Sequence, residues 1–222
     1  MSKTVPVGRE PVVRAALKLL DEVGLDGLTL RGVAAELGLT APTLYWRFKN
    51  KQDLVDEMAT QVLIDLRGGP GAEDVPESWP ELTRSFARDL RAALLTRRDG
   101  ARMVAGTRLR DPGVFKSMEA ALRVFAAAGI PPLEAAVFLK TVNDFVLGFT
   151  IEQQAVVSAS GARTPGYELD AREAAIDPEL YPLSRRVGSV LLDNFDASFD
   201  RGVDYLVAGL RAETESGQPL SC

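Results

Sequence analysis

Three short helical patterns separated by glycines occupy the first 51 residues, and they constrain the fold of this chain more than any other feature. From Glu10 to Val23 the apolar residues recur at i, i+3, i+4 and i+7, the spacing of one face of an amphipathic helix. Pro11 suits the first turn of this helix, and Gly24 is typical of the position after its C-terminal end. A second helix is predicted from Leu30 to Leu37, and Gly38 ends it.

The second and third predicted helices have the spacing of a helix-turn-helix. Thr29 is suited to the N-cap of the second helix, and Thr40 to the N-cap of a third helix from Ala41 to Phe48. Leu44 and Phe48 are four residues apart, so both should face inward. In a helix-turn-helix the second helix of the pair enters the major groove of DNA, so the third helix is the predicted recognition helix.

The remaining side chains of the third helix should face outward. Exposed aromatic rings are costly in a helix that needs only to be soluble, so Tyr45 and Trp46 indicate a binding partner; the alternative is that both rings pack on the first helix. Threonine methyl groups and aromatic edges can contact thymine methyl groups, and arginine can read guanine through two hydrogen bonds. Phosphate contacts, which fix register without specifying sequence, are assigned to Thr29, Arg31, Tyr45 and Lys51. The predicted DNA-contacting residues are Thr29, Arg31, Thr40, Ala41, Pro42, Thr43, Tyr45, Trp46, Arg47 and Lys51.

The rest of the chain also has helical patterns and no convincing strand. Further helices are predicted at 50–66, 78–96, 101–107, 114–128, 133–154 and 196–211. Ser78 and Glu81 form a predicted capping box, and Asp196 is the predicted N-cap of the last helix. Residues 68–76 are a predicted linker, and residues 155–182 are predicted to be mostly loop. The expected fold is therefore all-α, with a helix-turn-helix DNA-binding domain over residues 1–52 and a helical regulatory and dimerisation domain over residues 53–222.

Composition narrows the possible functions. The chain has no histidine, which excludes a Ser-His-Asp triad and imidazole ligation of zinc, and its one cysteine, Cys222, excludes an intrachain disulfide. Without a long apolar run or a secretory signal we expect a cytoplasmic protein with no membrane partner. The net charge is −5, yet residues 1–51 carry eight Lys or Arg against five Asp or Glu. A basic head on an acidic body is compatible with DNA binding.

The segment from Gly27 to Leu54 resembles the DNA-binding domain of the TetR (tetracycline repressor) family. It reads G-L-T-L-R-G-V-A-A-E-L-G-L-T-A-P-T-L-Y-W-R-F-K-N-K-Q-D-L. The resemblance continues into the C-terminal half through S-W-P-E-L, A-L-L-x-x-R-D-G-A, G-T-R and L-G-F-T-I-E. It therefore covers most of the chain, including the usually variable domain of the family.

This resemblance implies a homodimer that binds a palindromic operator on double-stranded DNA. Two recognition helices about 34 to 36 Å apart can read successive major grooves. Family members pair two C-terminal helices with those of the second copy, and the matching segments here are 133–154 and 196–211. The alternative is that both helices belong only to the core, which would give a monomer.

The resemblance also implies a pocket for a small-molecule effector that binds the DNA-released state more tightly than the DNA-bound state. The implied pocket residues are Phe86, Leu90, Val104, Thr107, Arg108, Ala121, Asp144 and Glu152. Where the tetracycline repressor has a metal-binding histidine, an asparagine and a glutamine, this chain has Val104, Phe86 and Ala121. We therefore expect a fairly apolar effector rather than magnesium–tetracycline, with no metal and no cofactor. Arg108 or Glu152 would orient the effector; alternatively these two side chains pair with each other or with neighbours.

The function expected from these patterns is that of a transcriptional repressor released from DNA by a small molecule. One alternative is a DNA-binding regulator of the same type that responds to no ligand. The other is an α-helical enzyme that uses carboxylates, and nothing in the sequence pairs an activated nucleophile with a base. We expect a protein that is not an enzyme.

Overall fold

The computed structural model describes residues 8–67, 75–108, 111–158 and 160–216. All regular elements in these ranges are helices, apart from one isolated bridge between Val157 and Arg163. The helices are α1 Arg9–Gly27, α2 Leu30–Glu36, α3 Ala41–Tyr45, α4 Lys51–Arg67, α5 Trp79–Leu95, α6 Gly100–Val104, α7 Gly113–Ala127, α8 Pro132–Val156, α9 Leu169–Ala174, α10 Pro182–Arg186, α11 Gly188–Leu192 and α12 Phe195–Ser216. The prediction of an all-α fold is confirmed. Most of the predicted linker, residues 68–74, lies outside the described residues.

The first three helices follow the predicted order with two differences at their ends. Gly24 interrupts α1 with a left-handed φ of 73°, and one further turn follows to Gly27. Thr29 caps α2 as predicted, since its Oγ1 accepts a hydrogen bond from the Gly32 amide at 3.0 Å. The recognition helix is shorter than predicted because the Arg47 and Phe48 amides both donate to the Leu44 carbonyl, each at 2.9 Å, which tightens the chain after Tyr45.

A single apolar core supports these short helices. Leu20 of α1, Leu44 of α3 and Phe48 are completely buried, together with Leu54 and Met58 of α4. The side chain of Asn50 starts α4 by accepting a hydrogen bond from the Asp53 amide at 2.8 Å. Because α4 packs on α1 and also on α5 and α6, it connects the N-terminal helices to the rest of the chain.

The C-terminal helices pack around an aromatic cluster. The rings of Trp79, Phe125 and Phe138 lie 5.7 to 5.9 Å apart between centroids and join α5, α7 and α8. The helix α12 lies against both α5 and α8. The predicted capping box at Ser78 differs in detail, because its hydroxyl donates to the Glu81 carboxylate at 2.9 Å and makes no bond to the helix backbone.

Three predicted boundaries are corrected. The segment predicted as loop contains α9, and the short helices α10 and α11 follow it. No residue of α9 or α10 is buried, so neither helix has the apolar stripe from which a helix is predicted. The short helix α6 ends at Val104 rather than Thr107. Asp196 is not an N-cap, because it lies inside the first turn of α12 and its carboxylate accepts a bond from Arg91 at 2.7 Å.

No single helix in the described ranges is both long and apolar enough to cross a membrane. In the same ranges, the two consecutive helical segments Phe115–Ala127 and Pro132–Val156 are together long and apolar enough to do so, but a bend of 119° separates them.

Candidate nucleic-acid interface and effector region

The recognition helix divides its side chains between the core and solvent. Leu44 and Phe48 are fully buried, whereas Thr43 is exposed, Tyr45 is 50% exposed and Trp46 is 91% exposed. The inward orientation of Leu44 and Phe48 is confirmed. Trp46 therefore does not pack on α1, and no part of the chain that the structure describes covers this large apolar ring.

Two threonines at the start of the recognition helix bond to each other. Thr40 occupies the N-cap position, but its Oγ1 lies 3.0 Å from Oγ1 of Thr43 and makes no capping bond to the backbone. Pro42 is exposed in the first turn, and Ala41 is half-buried. The predicted capping by the Thr40 side chain is therefore wrong, because the hydroxyl is engaged by the nearer threonine.

The flanking residues predicted to contact phosphates fall into two groups. Thr29 and Arg31 are exposed at the start of α2, and Arg31 forms no ion pair with any described residue. Lys51 is half-buried, and its ammonium donates to the carbonyls of Leu25 at 2.5 Å and Asp26 at 3.5 Å. Lys51 thus also fastens the start of α4 to the end of α1.

Arg9 is a residue of the head that the sequence did not indicate. Its guanidinium forms an ion pair with Glu57 of α4 and donates to the Arg47 carbonyl at 3.2 Å. The same group lies 5.6 Å from the centroid of the Phe48 ring. These partners are far away in the sequence, so no local pattern could have identified them.

The apolar residues of the implied effector pocket lie in or against the C-terminal core. Leu90 and Val104 are buried at 2% and 8% exposure, and Phe86 and Ala121 are half-buried against the same core. Thr107 is half-buried, and its hydroxyl donates to the Val104 carbonyl at 2.7 Å. This region offers apolar surface with one hydroxyl.

The three charged residues implied for the pocket lie on the surface. Asp144 forms an ion pair with Lys140 one turn earlier on α8, and the ammonium lowers the pKa of the Asp144 carboxyl. Arg108 and Glu152 are exposed and form no ion pair with each other or with any other described residue. The structure therefore brings the apolar candidates to the core and leaves the charged ones outside it.

A polar cavity lies between the start of α4 and the chain that follows α6. Its volume is about 280 Å³, and its lining residues are Asn50, Gln52, Asp53, Asp56, Gly106 and Arg108. The buried carboxylate of Asp56 accepts bonds from the Gln52 amide at 2.8 Å and from the Arg108 backbone amide at 3.4 Å. The chain beyond α6 is thereby connected to α4, the helix that follows the predicted DNA-binding head.

A second polar connection joins the end of α1 to the turn between α5 and α6. Asp21 pairs with Arg97 at 2.6 Å, and the Leu25 amide donates to the Asp99 carboxylate at 2.7 Å. Arg102 of α6 pairs with both Asp26 and Asp99, each at 3.2 Å. A displacement of α6 would therefore act on α1 through these ion pairs and on α4 through direct packing.

Two family models match the chain. The one described as bacterial regulatory proteins, tetR family, matches residues 12–58, and the one described as tetracyclin repressor-like, C-terminal domain, matches residues 72–214. The class A tetracycline repressor protein from transposon 1721 of Escherichia coli is 38% identical over 206 residues, which cover 90% of this chain and 88% of that protein.

Solved structures are similar over nearly the whole chain. A possible TetR family transcriptional regulator from Streptomyces coelicolor A3(2) is 36% identical with a TM-score of 0.77, and the match covers 92% of this chain and 99% of that one. A TetR variant from Acinetobacter baumannii AYE in complex with minocycline is 33% identical with a TM-score of 0.68, covering 93% and 97% of the two chains. With both halves matched by family models and this identity to its relatives, the chain belongs to the tetR family of bacterial regulatory proteins.

Proposed function

We propose that this protein is a cytoplasmic transcriptional repressor that binds a palindromic operator as a homodimer and is released by a fairly apolar small molecule. It acts by binding and not by catalysis. The observation that carries the proposal is the recognition helix, on which Trp46 is 91% exposed while Leu44 anchors the helix in the core. Membership of a family of regulatory proteins supports the same function.

In the proposed complex, α3 and the turn that follows it lie in the major groove, with the exposed Thr43 and Trp46 and the half-buried Arg47 toward the bases. Thr43, Trp46 and Arg47 contact base edges, and methyl or ring carbons face thymine methyl groups. The start of α3 approaches the groove through Thr40, Ala41 and Pro42. The phosphate contacts come from Thr29, Arg31, Tyr45 and Lys51, whose ammonium has three N–H groups and uses two of them within the head.

The exposed faces of α8 and α12 support the proposed dimer. Val137 of α8 and Tyr205 of α12 are 53% and 69% exposed. A methyl group added at Gly148 or Gly209 would meet nothing within 4 Å, so small residues leave open space on both helices. Apolar side chains beside small residues allow helices of a second copy to approach closely and bury this surface.

The composition of the effector region supports an apolar ligand. The A. baumannii relative binds minocycline, but here the side chains of Phe86, Leu90, Val104 and Ala121 offer no oxygen or nitrogen. The residues present therefore do not fit a magnesium complex of the tetracycline type at Val104, since magnesium requires oxygen ligands. Arg108 or Glu152, both now exposed, would orient the effector after turning toward it.

Operator selection from random duplex DNA tests the proposal. We expect the protein to enrich a palindromic sequence, and Arg47→Ala to lose preference at one base position, at a cost of about 1 to 3 kcal/mol. Arg123→Ala is the matched control, because Arg123 is a surface arginine of α7 outside the head. Selection of no sequence, or an unchanged base preference in Arg47→Ala, would contradict the groove assignment.

A screen for operator release then tests the effector. Apolar compounds are added to the complex of protein and fluorescent operator, and loss of anisotropy identifies the releasing ligand. We expect release by an uncharged or weakly charged aromatic compound without added magnesium. Operator binding that no compound class reverses would instead indicate a regulator without a ligand response.

A further inference from the structure

Arg9 contacts the helix α4, the Arg47 carbonyl and the Phe48 ring at once. It is the first residue of α1, yet one guanidinium nitrogen, Nη1, pairs with Glu57 of α4 and the other, Nη2, donates to the Arg47 carbonyl at 3.2 Å. The guanidinium carbon lies 5.6 Å from the centroid of the Phe48 ring. The planar guanidinium can make these contacts together because its donors point in several directions. The ammonium of a lysine is a single compact charge and cannot reproduce them.

The segment that Arg9 holds has little support of its own. The helix α3 has only five residues, and the chain from Trp46 to Phe48 continues as a tight turn onto the Leu44 carbonyl. Trp46 is almost fully exposed and provides no anchor, whereas Phe48 is fully buried. The direction in which Tyr45, Trp46 and Arg47 point therefore depends on the contacts made by the end of this turn.

We propose that Arg9 is a positioning residue for DNA recognition: together with Glu57 it latches the end of the recognition helix to α4 and sets the orientation of Trp46 and Arg47 in the groove. The inference rests on the proposed function as an operator-binding protein. It assigns to Arg9 no contact with DNA. The latch reduces the loss of conformational freedom on binding, because the turn is already ordered in the free protein.

The competing role for an arginine at this place is a direct phosphate contact. Two features of the geometry favour the latch. Both terminal nitrogens of Arg9 already have acceptors within the protein. The negative charge of Glu57 also offsets the positive charge of Arg9, which would otherwise attract a phosphate. A phosphate contact would need neither Glu57 nor the Arg47 carbonyl.

A mutant cycle with two DNA probes separates these roles. The variants are Arg9→Met, Arg9→Lys, Glu57→Gln and the double variant, and the probes are the selected operator and a scrambled duplex over a range of salt concentrations. Arg14→Met is the matched control. Arg14 lies on α1, its side chain is 57% exposed against 54% for Arg9, and Glu10 of the same helix is its only ion-pair partner among the described residues. The thermal midpoint of each variant reports stability.

The latch predicts a loss confined to the operator. Arg9→Met and Glu57→Gln should each weaken operator binding by about tenfold and should leave scrambled binding and the salt slope unchanged. The double variant should be no weaker than either single one, because the two residues act as one unit. Arg9→Lys should recover only part of the affinity, and Arg14→Met should match the wild type.

Two results would overturn the proposal. If Arg9→Met weakens both probes alike and lowers the salt slope by about one while Arg9→Lys restores binding fully, Arg9 contacts a phosphate. If the midpoint falls but the operator affinity of the folded protein does not, Arg9 only stabilises the head.

Amide hydrogen exchange of the free protein tests the latch in the absence of DNA. Arg9→Met should increase amide exchange across residues 41–48 relative to the rest of the head, and Arg14→Met should not. Unchanged exchange there overturns the latch. If the wild type selects no operator, the proposed function fails, and the exchange result alone decides whether the latch exists.

Discussion

Trp46 shows at the scale of one residue how the head separates stability from binding. Its ring is 91% exposed, so its removal takes almost no packing away from the folded chain. In the proposed complex the same ring is buried against DNA. A residue with this exposure should therefore affect affinity and leave folding unchanged.

We predict that Trp46→Ala weakens operator binding by roughly 10-fold to 100-fold, because burying a large apolar side chain contributes about 1.5 to 3 kcal/mol. The free energy of unfolding should change by no more than about 0.5 kcal/mol, as for most surface substitutions. Fluorescence anisotropy with labelled operator and urea unfolding measure the two quantities.

The control for this substitution is Phe115→Ala. Phe115 is an aromatic residue of α7 with 77% exposure, outside the predicted DNA-binding face. The Phe115→Ala substitution should leave operator affinity unchanged. Equal losses in the two variants would mean that the exposure of an aromatic ring, and not its place at the end of α3, decides the effect on operator affinity.

At the scale of elements, α5 and α12 are joined by a ladder of three arginine–aspartate pairs. Arg84 pairs with Asp204 at 2.9 Å and Arg91 with Asp196 at 2.7 Å. The middle pair, formed by Arg88 and Asp200, has two hydrogen bonds of 2.9 and 3.0 Å. The antiparallel spacing of these pairs sets the register between the two helices.

The rungs of this ladder differ in their surroundings. Arg91 is 11% exposed in its side chain, donates twice to Gln153 of α8 and lies 4.7 Å from the Phe199 ring centroid. Arg88 is 58% exposed, and its partner Asp200 is 44% exposed. Exposed pairs contribute little because water screens them, whereas a buried guanidinium supports several partners.

We predict that Arg91→Ala lowers the free energy of unfolding by about 2 kcal/mol, since it removes several charged hydrogen bonds and a cation–π contact. Arg88→Ala, the matched control on the same ladder, should cost no more than about 1 kcal/mol. Urea titration of both variants measures the difference. Equal losses of unfolding free energy in the two variants would show that burial does not make the Arg91 pair more stabilising than the Arg88 pair.

The pair of Arg88 and Asp200 also has a defined dependence on pH. Hydrogen bonding to Arg88 lowers the pKa of the Asp200 carboxyl. Its contribution to stability is therefore present above the ordinary Asp pKa of about 3.9 and is lost as pH falls through the lower value of the folded state.

For the whole molecule, the proposed dimer would decide whether two heads can reach one operator. The faces of α8 and α12 that support it are exposed in the single chain and include bare glycines. A larger side chain at such a glycine should be harmless to the protomer and harmful to the dimer.

We predict that Gly148→Leu gives a monomer, because the longer side chain stands on the exposed face where the second copy is proposed to pack. Helicity should be unchanged, because leucine has a better helix propensity than glycine and a Cβ atom at this position meets no atom within 4 Å in the protomer. Sedimentation or light scattering reports the mass, and circular dichroism reports the fold. Ala126→Leu on an exposed part of α7 is the control and should remain dimeric. A dimeric Gly148→Leu would remove α8 from the interface.

Local patterns predicted most of the fold. Capping by Thr29, burial of Leu44 and Phe48, and the order of the long helices were all evident because each depends on residues within one or two turns. The helices α9 to α11 were missed since they bury almost no side chain. The effector residues remain a prediction, although the structure separates the buried Val104 from the exposed Glu152.

The sequence by itself determined that this chain forms helices and that an N-terminal helix-turn-helix has an aromatic outer surface. It also determined that residues 1–51 carry more Lys and Arg than Asp and Glu, eight against five, whereas the whole chain has 26 against 31. Periodicity and capping are local, so they are encoded in neighbouring residues. Only the tertiary structure decided that Arg9 meets Arg47 across 38 positions and Arg91 meets Asp196 across 105. Such contacts depend on how whole helices pack, and no local spacing specifies them.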